Sequence, residues 1–108
     1  MSDTQQQIQQ LVADNRVLLF MKGTADFPQC GFSMRVVNIV RALGVPFKTV
    51  NVLEDQEIRE GVKQFSNWPT IPQLYIDGQF IGGSDIAYEM YQSGDLQKLV
   101  EGHPQTES

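Results

Sequence analysis

The chain has 108 residues, of which 41% are hydrophobic, and it carries a net charge of −5. This length predicts one domain, residues 1–108, with a modest core. The eight Lys and Arg residues are scattered, so no basic cluster offers a contact surface to nucleic acid. No apolar run approaches the ~20 residues of a membrane span.

The N-terminus and the cysteine count bear on the compartment. Residues 1–10 are polar and glutamine-rich, without the basic start and apolar stretch of a secretory signal. The single cysteine, Cys30, cannot form a disulfide within the chain. We therefore expect a reducing compartment and a cytoplasmic protein.

Apolar spacing and Gly and Pro residues divide the chain into alternating elements. The apolar run Val17–Met21, for example, predicts a strand that is buried on both faces. The predicted helices cover 4–14, 31–43, 85–92 and 95–100. A further helix, the third in chain order, has Asp55 as its N-cap and is broken by the segment from Trp68 to Pro72. The predicted strands cover 17–21, 47–52, 73–76 and 79–81, with a type I′ turn at Asp77-Gly78 between the last two. We expect residues 102–108 to form a flexible tail.

Each longer helix has an apolar face that predicts its contact with a sheet. The predicted inward residues are Phe32, Val36, Val40 and Leu43 in the second helix, Ile58, Val62 and Phe65 in the third, and Ile86, Met90 and Tyr91 in the fourth.

The order of these elements predicts an α/β fold. A strand-helix-strand unit, a crossover helix and a hairpin form a small four-stranded mixed sheet with helices on both faces. This is the layout of the thioredoxin fold.

Cys30 lies where a loop meets the start of a predicted helix. Unpaired N–H groups and a partial positive charge at a helix N-terminus favour a thiolate, which is the form that attacks disulfides and binds metal. The alternative is a buried structural cysteine that acts as a small hydrophobe. The polar, Pro-containing loop before Cys30 favours the reactive interpretation.

Four motifs in a fixed order resemble the CGFS-type monothiol glutaredoxins, in particular the single-domain bacterial type. The resemblance covers residues 3–100. Its motifs are Cys30-Gly31-Phe32-Ser33 after Met21-Lys22-Gly23, then Trp68-Pro69-Thr70, Ile71-Pro72-Gln73, and Gly82-Gly83-Ser84-Asp85.

The resemblance implies a groove for glutathione. In the family, a lysine at the position of Lys22 faces the glycine carboxylate and the cysteine sulfur, and Arg59 would be a second carboxylate contact. The backbone of Ile71, before a cis Pro72, would pair with the peptide of the ligand. Without the family, these positions would be a solvated lysine, a surface arginine and an ordinary trans turn.

Ser84 and Asp85 complete the implied groove. They open a helix whose free N–H groups can hold a carboxylate, and Asp85 can meet the α-ammonium of glutathione. A plain N-cap pair is the alternative, and both can hold together. The family also places Trp68 near the groove, whereas His103 in the tail has no expected role. Many relatives carry a cysteine where this chain has Ser84, so a disulfide from Cys30 to that position is unavailable here.

A lone thiol restricts the chemistry. Ser33 cannot form an internal disulfide with Cys30, and one His with one Cys excludes a four-ligand zinc site within one chain. A [2Fe–2S] cluster needs four ligands, which two chains and two glutathiones would supply.

We therefore predict a carrier that binds a [2Fe–2S] cluster and glutathione in a homodimer, acts in iron–sulfur assembly, storage or transfer, and passes clusters to recipient apoproteins. One alternative is a glutathione-dependent thiol–disulfide oxidoreductase that deglutathionylates proteins. Another is an iron-sensing adaptor with a BolA-type partner. Any enzymatic activity is expected to be weak.

Overall fold

The computed structural model describes residues 2–101. Its four strands form one mixed sheet in the order β2-β1-β3-β4, with β1 parallel to β2 and the other pairs antiparallel. The strands are β1 Val17–Met21, β2 Lys48–Asn51, β3 Gln73–Ile76 and β4 Gln79–Gly82. The helices are α1 Asp3–Asp14, α2 Gly31–Leu43, α3 Gln56–Ser66, α4 Ser84–Ser93 and α5 Asp95–Glu101. This architecture confirms the predicted α/β fold, whereas the predicted tail and His103 lie outside the described residues.

The strand β1 lies in the interior of the sheet, and all five of its side chains are buried. Because side chains alternate along a strand, β1 contributes to two separate cores. Val17, Leu19 and Met21 pack with α2, α4 and α5 on one face. Leu18 and Phe20 pack with α1 and α3 on the other. The prediction of a strand buried on both faces is confirmed.

Side-chain caps define where several elements begin and end. The Ser2 hydroxyl caps α1 by accepting from the Gln5 N–H at 3.1 Å, and Asp55 caps α3 as predicted. The strand β2 is shorter than the predicted 47–52, because a 3-10 turn over Val52–Glu54 begins where Asn51 Oδ1 accepts from the Leu53 N–H. The sequence pattern did not predict this turn.

The prediction of inward-facing side chains is wrong for three residues. Phe32 is 61% exposed because, in the first turn of α2, its neighbour Ser33 and not Phe32 faces the interior. Ile86 and Tyr91 are 39% and 38% exposed. Met90 packs against the core as predicted, and Ala87, which was not among the predicted inward residues, is fully buried there. No helix within residues 2–101 is long and apolar enough to cross a membrane.

The hairpin turn is tied to the C-terminal helix by one side chain. Asp77 and Gly78 both have positive φ, 52° and 82°, which confirms the predicted type I′ turn. Arg16 donates to Asp77 Oδ1 at 3.0 Å and to the carbonyls of Leu99 and Val100 at 3.2 and 2.9 Å. Arg16 therefore joins the start of β1, the hairpin turn and the last turn of α5.

We expect Arg16→Ala to lower the free energy of unfolding by about 1–2 kcal/mol, because it removes charge-assisted bonds that are only partly screened by solvent. Urea unfolding followed by far-UV circular dichroism measures the change. Arg41→Ala is the matched control, since Arg41 pairs with an exposed Asp26 carboxylate at 3.0 Å and its loss is expected to cost less than about 1 kcal/mol. Equal losses in the two variants would contradict the role of Arg16.

Candidate functional site

A cavity of about 420 Å³ opens where the end of β1 meets the first turns of α2 and α4. Its wall includes all six residues that the sequence predicted for a site, namely Lys22, Cys30, Arg59, Ile71, Ser84 and Asp85. It also includes side chains with no predicted role in the site, among them Phe32, Lys63, Thr70 and Ile86.

Cys30 is the N-cap residue of α2 and is partly exposed, so it is not a buried structural cysteine. Burial raises the pKa of its thiol, but the backbone N–H groups of Ser33 and Phe32, the Lys22 ammonium and the Ser33 hydroxyl together hold that pKa below its ordinary value. The environment of Cys30 therefore favours the thiolate, which is the nucleophilic and metal-binding form.

Ser33 connects the strand that precedes the site to the helix that follows it. Its side chain is fully buried, and its hydroxyl accepts a hydrogen bond from the Lys22 backbone N–H at 3.1 Å. Lys22 directly follows β1 and Ser33 lies in the first turn of α2, so this bond fixes the start of the helix relative to the end of the strand. The hydroxyl therefore has a structural partner as well as its effect on Cys30.

The loop over residues 24–29 is closed at its base by a neck formed by Lys22, Gly23, Pro28 and Gln29. Gly23 forms a β-bridge with Pro28, and the Gln29 N–H donates to the Lys22 carbonyl at 2.9 Å. Gly23 has a φ of +95°, and a Cβ there would lie 2.6 Å from the Gln29 nitrogen. Only glycine fits this position without strain. The Gly23 N–H also donates to Asn51 Oδ1 at 2.9 Å, which anchors the neck to the end of β2.

Residues 68–72 form a second wall of the cavity and are anchored by Gln73. The buried Gln73 amide donates to the carbonyls of Trp68 and Thr70 at 3.1 and 3.2 Å. Its oxygen accepts from the Tyr75 hydroxyl, and burial raises the pKa of Tyr75 to about 12, so that hydroxyl stays protonated. The Ile71-Pro72 peptide is cis, as the family resemblance implied.

The first turn of α4 presents polar groups at the edge of the cavity. Gly83 is the N-cap and supplies no side-chain cap. Within residues 2–101, Ser84 Oγ is the one buried side-chain polar atom that lacks a hydrogen-bond partner. The Asp85 side chain is 86% exposed. This turn therefore has a neutral donor, free backbone N–H groups and one carboxylate at the edge of the cavity.

The charged side chains of the cavity are unevenly distributed. Three cations, Lys22, Arg59 and Lys63, line it with a single anion, Asp85, although the whole chain is acidic. Lys63 was missed by the sequence analysis. Its position four residues after Arg59 on α3 was the available signal, because residues at this spacing share one helix face.

Residues 17–81 match the glutaredoxin family model. The chain is 58% identical over 99 residues to an uncharacterised monothiol glutaredoxin of Synechocystis sp., covering 92% of each protein. The chain belongs to the monothiol glutaredoxins. It is also 55% identical to the chloroplastic monothiol glutaredoxin-S14 of Arabidopsis thaliana over 87% of its own length, but spans only 54% of that protein.

Solved glutaredoxin structures share the thioredoxin fold of this monothiol glutaredoxin. The solution structure of reduced apo GrxS14 from poplar has a TM-score of 0.79 at 55% identity, covering 90% of this chain and 89% of that one. The crystal structure of a buckwheat glutaredoxin–glutathione complex has a TM-score of 0.76 at 29% identity, covering 86% and 83%.

We expect Ser33→Ala to raise the pKa of the Cys30 thiol, because the variant removes the hydroxyl that favours the thiolate. The rate of alkylation by iodoacetamide as a function of pH reports this pKa. The midpoint of the wild-type profile should lie below the ~8.5 of a free cysteine and that of the variant should move upward. Ser93→Ala, at the far end of α4, is the control and should leave the profile unchanged. Coincident profiles for wild type and Ser33→Ala would contradict this role.

Proposed function

We propose that this monothiol glutaredoxin binds glutathione in the cavity beside Cys30. The support is charge complementarity. At neutral pH, glutathione carries two carboxylates and one ammonium, and the cavity presents three cations and one carboxylate. The buckwheat relative of known structure is a complex with glutathione.

The cavity has a matching group for each end of that ligand. Lys22, Arg59 and Lys63 would bind the glycine carboxylate, and the backbone of Ile71 would pair with the cysteinyl peptide. The α-carboxylate of the γ-glutamyl end would lie at the first turn of α4. There the Ser84 hydroxyl, which has no protein partner, is available to donate. Asp85 would bind the α-ammonium.

We further propose that the protein carries a [2Fe–2S] cluster as cargo for iron–sulfur assembly, storage or transfer. One observation carries this proposal: Cys30 is an accessible thiol of lowered pKa at one end of the groove. No group of three or more His, Cys, Asp or Glu residues within 2–101 could hold a metal ion. The remaining ligands would come from glutathione thiolates and from Cys30 of a second copy, which implies a cluster-bridged homodimer.

A thiol–disulfide activity is the second candidate, favoured by the same thiolate. Cys30 would attack a protein–glutathione disulfide, release the protein thiolate and keep glutathione as a mixed disulfide. A second glutathione thiolate would then release oxidised glutathione and regenerate Cys30. Because Ser33 cannot resolve that intermediate, turnover would depend on free glutathione. A cytoplasmic location, a single domain and a BolA-type partner are further parts of the proposal.

Anaerobic reconstitution with ferrous iron, sulfide and glutathione tests the carrier function. We expect visible absorbance from a cluster, a dimeric mass, and loss of both when glutathione is omitted or when Cys30→Ser is used. The variant Ser93→Cys in the Cys30→Ser background keeps one thiol outside the groove, and it should remain colourless. A colourless wild-type monomer would overturn the carrier function, and fast turnover of a glutathionylated substrate would then support the oxidoreductase.

Lys63→Gln tests the charge complementarity. We expect it to weaken binding of S-methylglutathione, which cannot exchange with Cys30, by about threefold. The expected effect is this small because Lys63 is half-buried and already pairs with Glu60 at 3.4 Å. Nuclear magnetic resonance titration measures the dissociation constant. Lys48→Gln, which makes the same charge change on an exposed residue of β2 outside the cavity, should bind as the wild type does. Equal weakening in both variants would show a general charge effect and not a groove contact.

A further inference from the structure

Arg35 on α2 reaches across to the first turn of α4. One guanidinium nitrogen lies 3.4 Å from Asp85 Oδ1. The guanidinium carbon lies 3.9 Å from the centroid of the Tyr88 ring, which is a cation–π contact. Arg35 does not line the cavity, whereas Asp85 does. The three side chains thus form a cluster at the edge of the groove, with only Asp85 in its wall.

The ring of Tyr88 determines where this guanidinium lies. Tyr88 follows Asp85 by three residues on α4, so the two side chains share a helix face. A planar guanidinium that stacks on the ring loses freedom before it meets the carboxylate. Arg35 therefore approaches Asp85 from the Tyr88 side, one turn away from the N-terminus of α4. Its contact is to Oδ1, and the Asp85 side chain, which lines the cavity, is still 86% exposed to a second partner.

We propose that Arg35 is a positioning residue, which holds the Asp85 carboxylate in the orientation that receives the α-ammonium of the γ-glutamyl end of the ligand. This inference rests on the proposed binding of glutathione. Without Arg35, the Asp85 side chain, 86% exposed, would sample several rotamers and lose that freedom on binding.

The positive charge of Arg35 acts in the opposite direction, because it partly neutralises the carboxylate that the ammonium must meet. Water around Asp85 screens this effect. The direct contact of Arg35 with one oxygen is retained when the ammonium binds the other. Ordering of Asp85 therefore outweighs the charge effect, and removal of Arg35 weakens binding.

A pair of ligands separates this role from general damage to the groove. The two probes are S-methylglutathione and its analogue in which hydrogen replaces the α-amino group. We expect Arg35→Ala to weaken binding of S-methylglutathione about threefold, because the Asp85 side chain would then have to become ordered on binding. Binding of the analogue without the amino group should be unchanged. Tyr88→Leu is expected to act in the same direction, and Tyr88→Phe, which keeps the ring, to bind as the wild type does. In the Asp85→Asn background, Arg35→Ala is expected to have no further effect.

Each other outcome is decisive. Wild-type protein that binds neither probe would overturn the proposed glutathione groove and this inference together. Wild-type protein that binds both probes equally would overturn the contact between Asp85 and the α-ammonium, and with it this inference, but not the groove. Wild-type protein that prefers the amino ligand while Arg35→Ala leaves that preference intact would overturn the role of Arg35 alone. Tighter binding of S-methylglutathione by Arg35→Ala would also overturn it, because the charge effect would then exceed the ordering effect.

Discussion

The hydrogen bond from the Lys22 backbone N–H to the Ser33 hydroxyl is the contact on which the geometry of the site depends. It joins the end of β1, which two cores hold in place, to the first turn of α2. Cys30 lies between these two anchors, so its sulfur has a defined position beside the Lys22 side chain and the helix N-terminus. Ser33 is fully buried, and without its hydroxyl the Lys22 N–H would lose this partner. In this chain the serine is a structural residue and not merely the absence of a second thiol.

The groove combines groups from elements that are far apart in the chain. Its cations come from the end of β1 and from α3, its carboxylate from α4, and its thiol from the start of α2. The sheet brings these elements to one edge because β1 lies between β2 and β3. In the proposed function the protein supplies one thiol and the bound glutathione supplies another. The charges that bind glutathione therefore make a second cysteine in the chain unnecessary.

Local pattern predicted the elements, and contacts between distant residues account for what it missed. The run Val17–Met21 predicted a fully buried strand because every residue in it is apolar. Periodicity could not distinguish Phe32 and Ile86, which line the groove, from core residues, because both kinds of position are apolar. The cis Ile71-Pro72 peptide came from the family resemblance alone. The pairing of Arg35 with Asp85 joins residues 50 positions apart, and the periodicity of a helix or strand does not predict contacts at that separation.

The neck of the loop over residues 24–29 lies between the middle of that loop and Cys30. The bridge between Gly23 and Pro28 and the bond from Gln29 to Lys22 close the loop before the chain reaches Cys30. Ala25 and Asp26, in the middle of that loop, lie beyond this closure. Ala25 packs against the core and Asp26 pairs with Arg41, so the loop is held at its far end as well as at its neck, whereas Phe27 is 74% exposed. A substitution at Phe27 would therefore change the exposed surface of the loop while the thiol stays where it is.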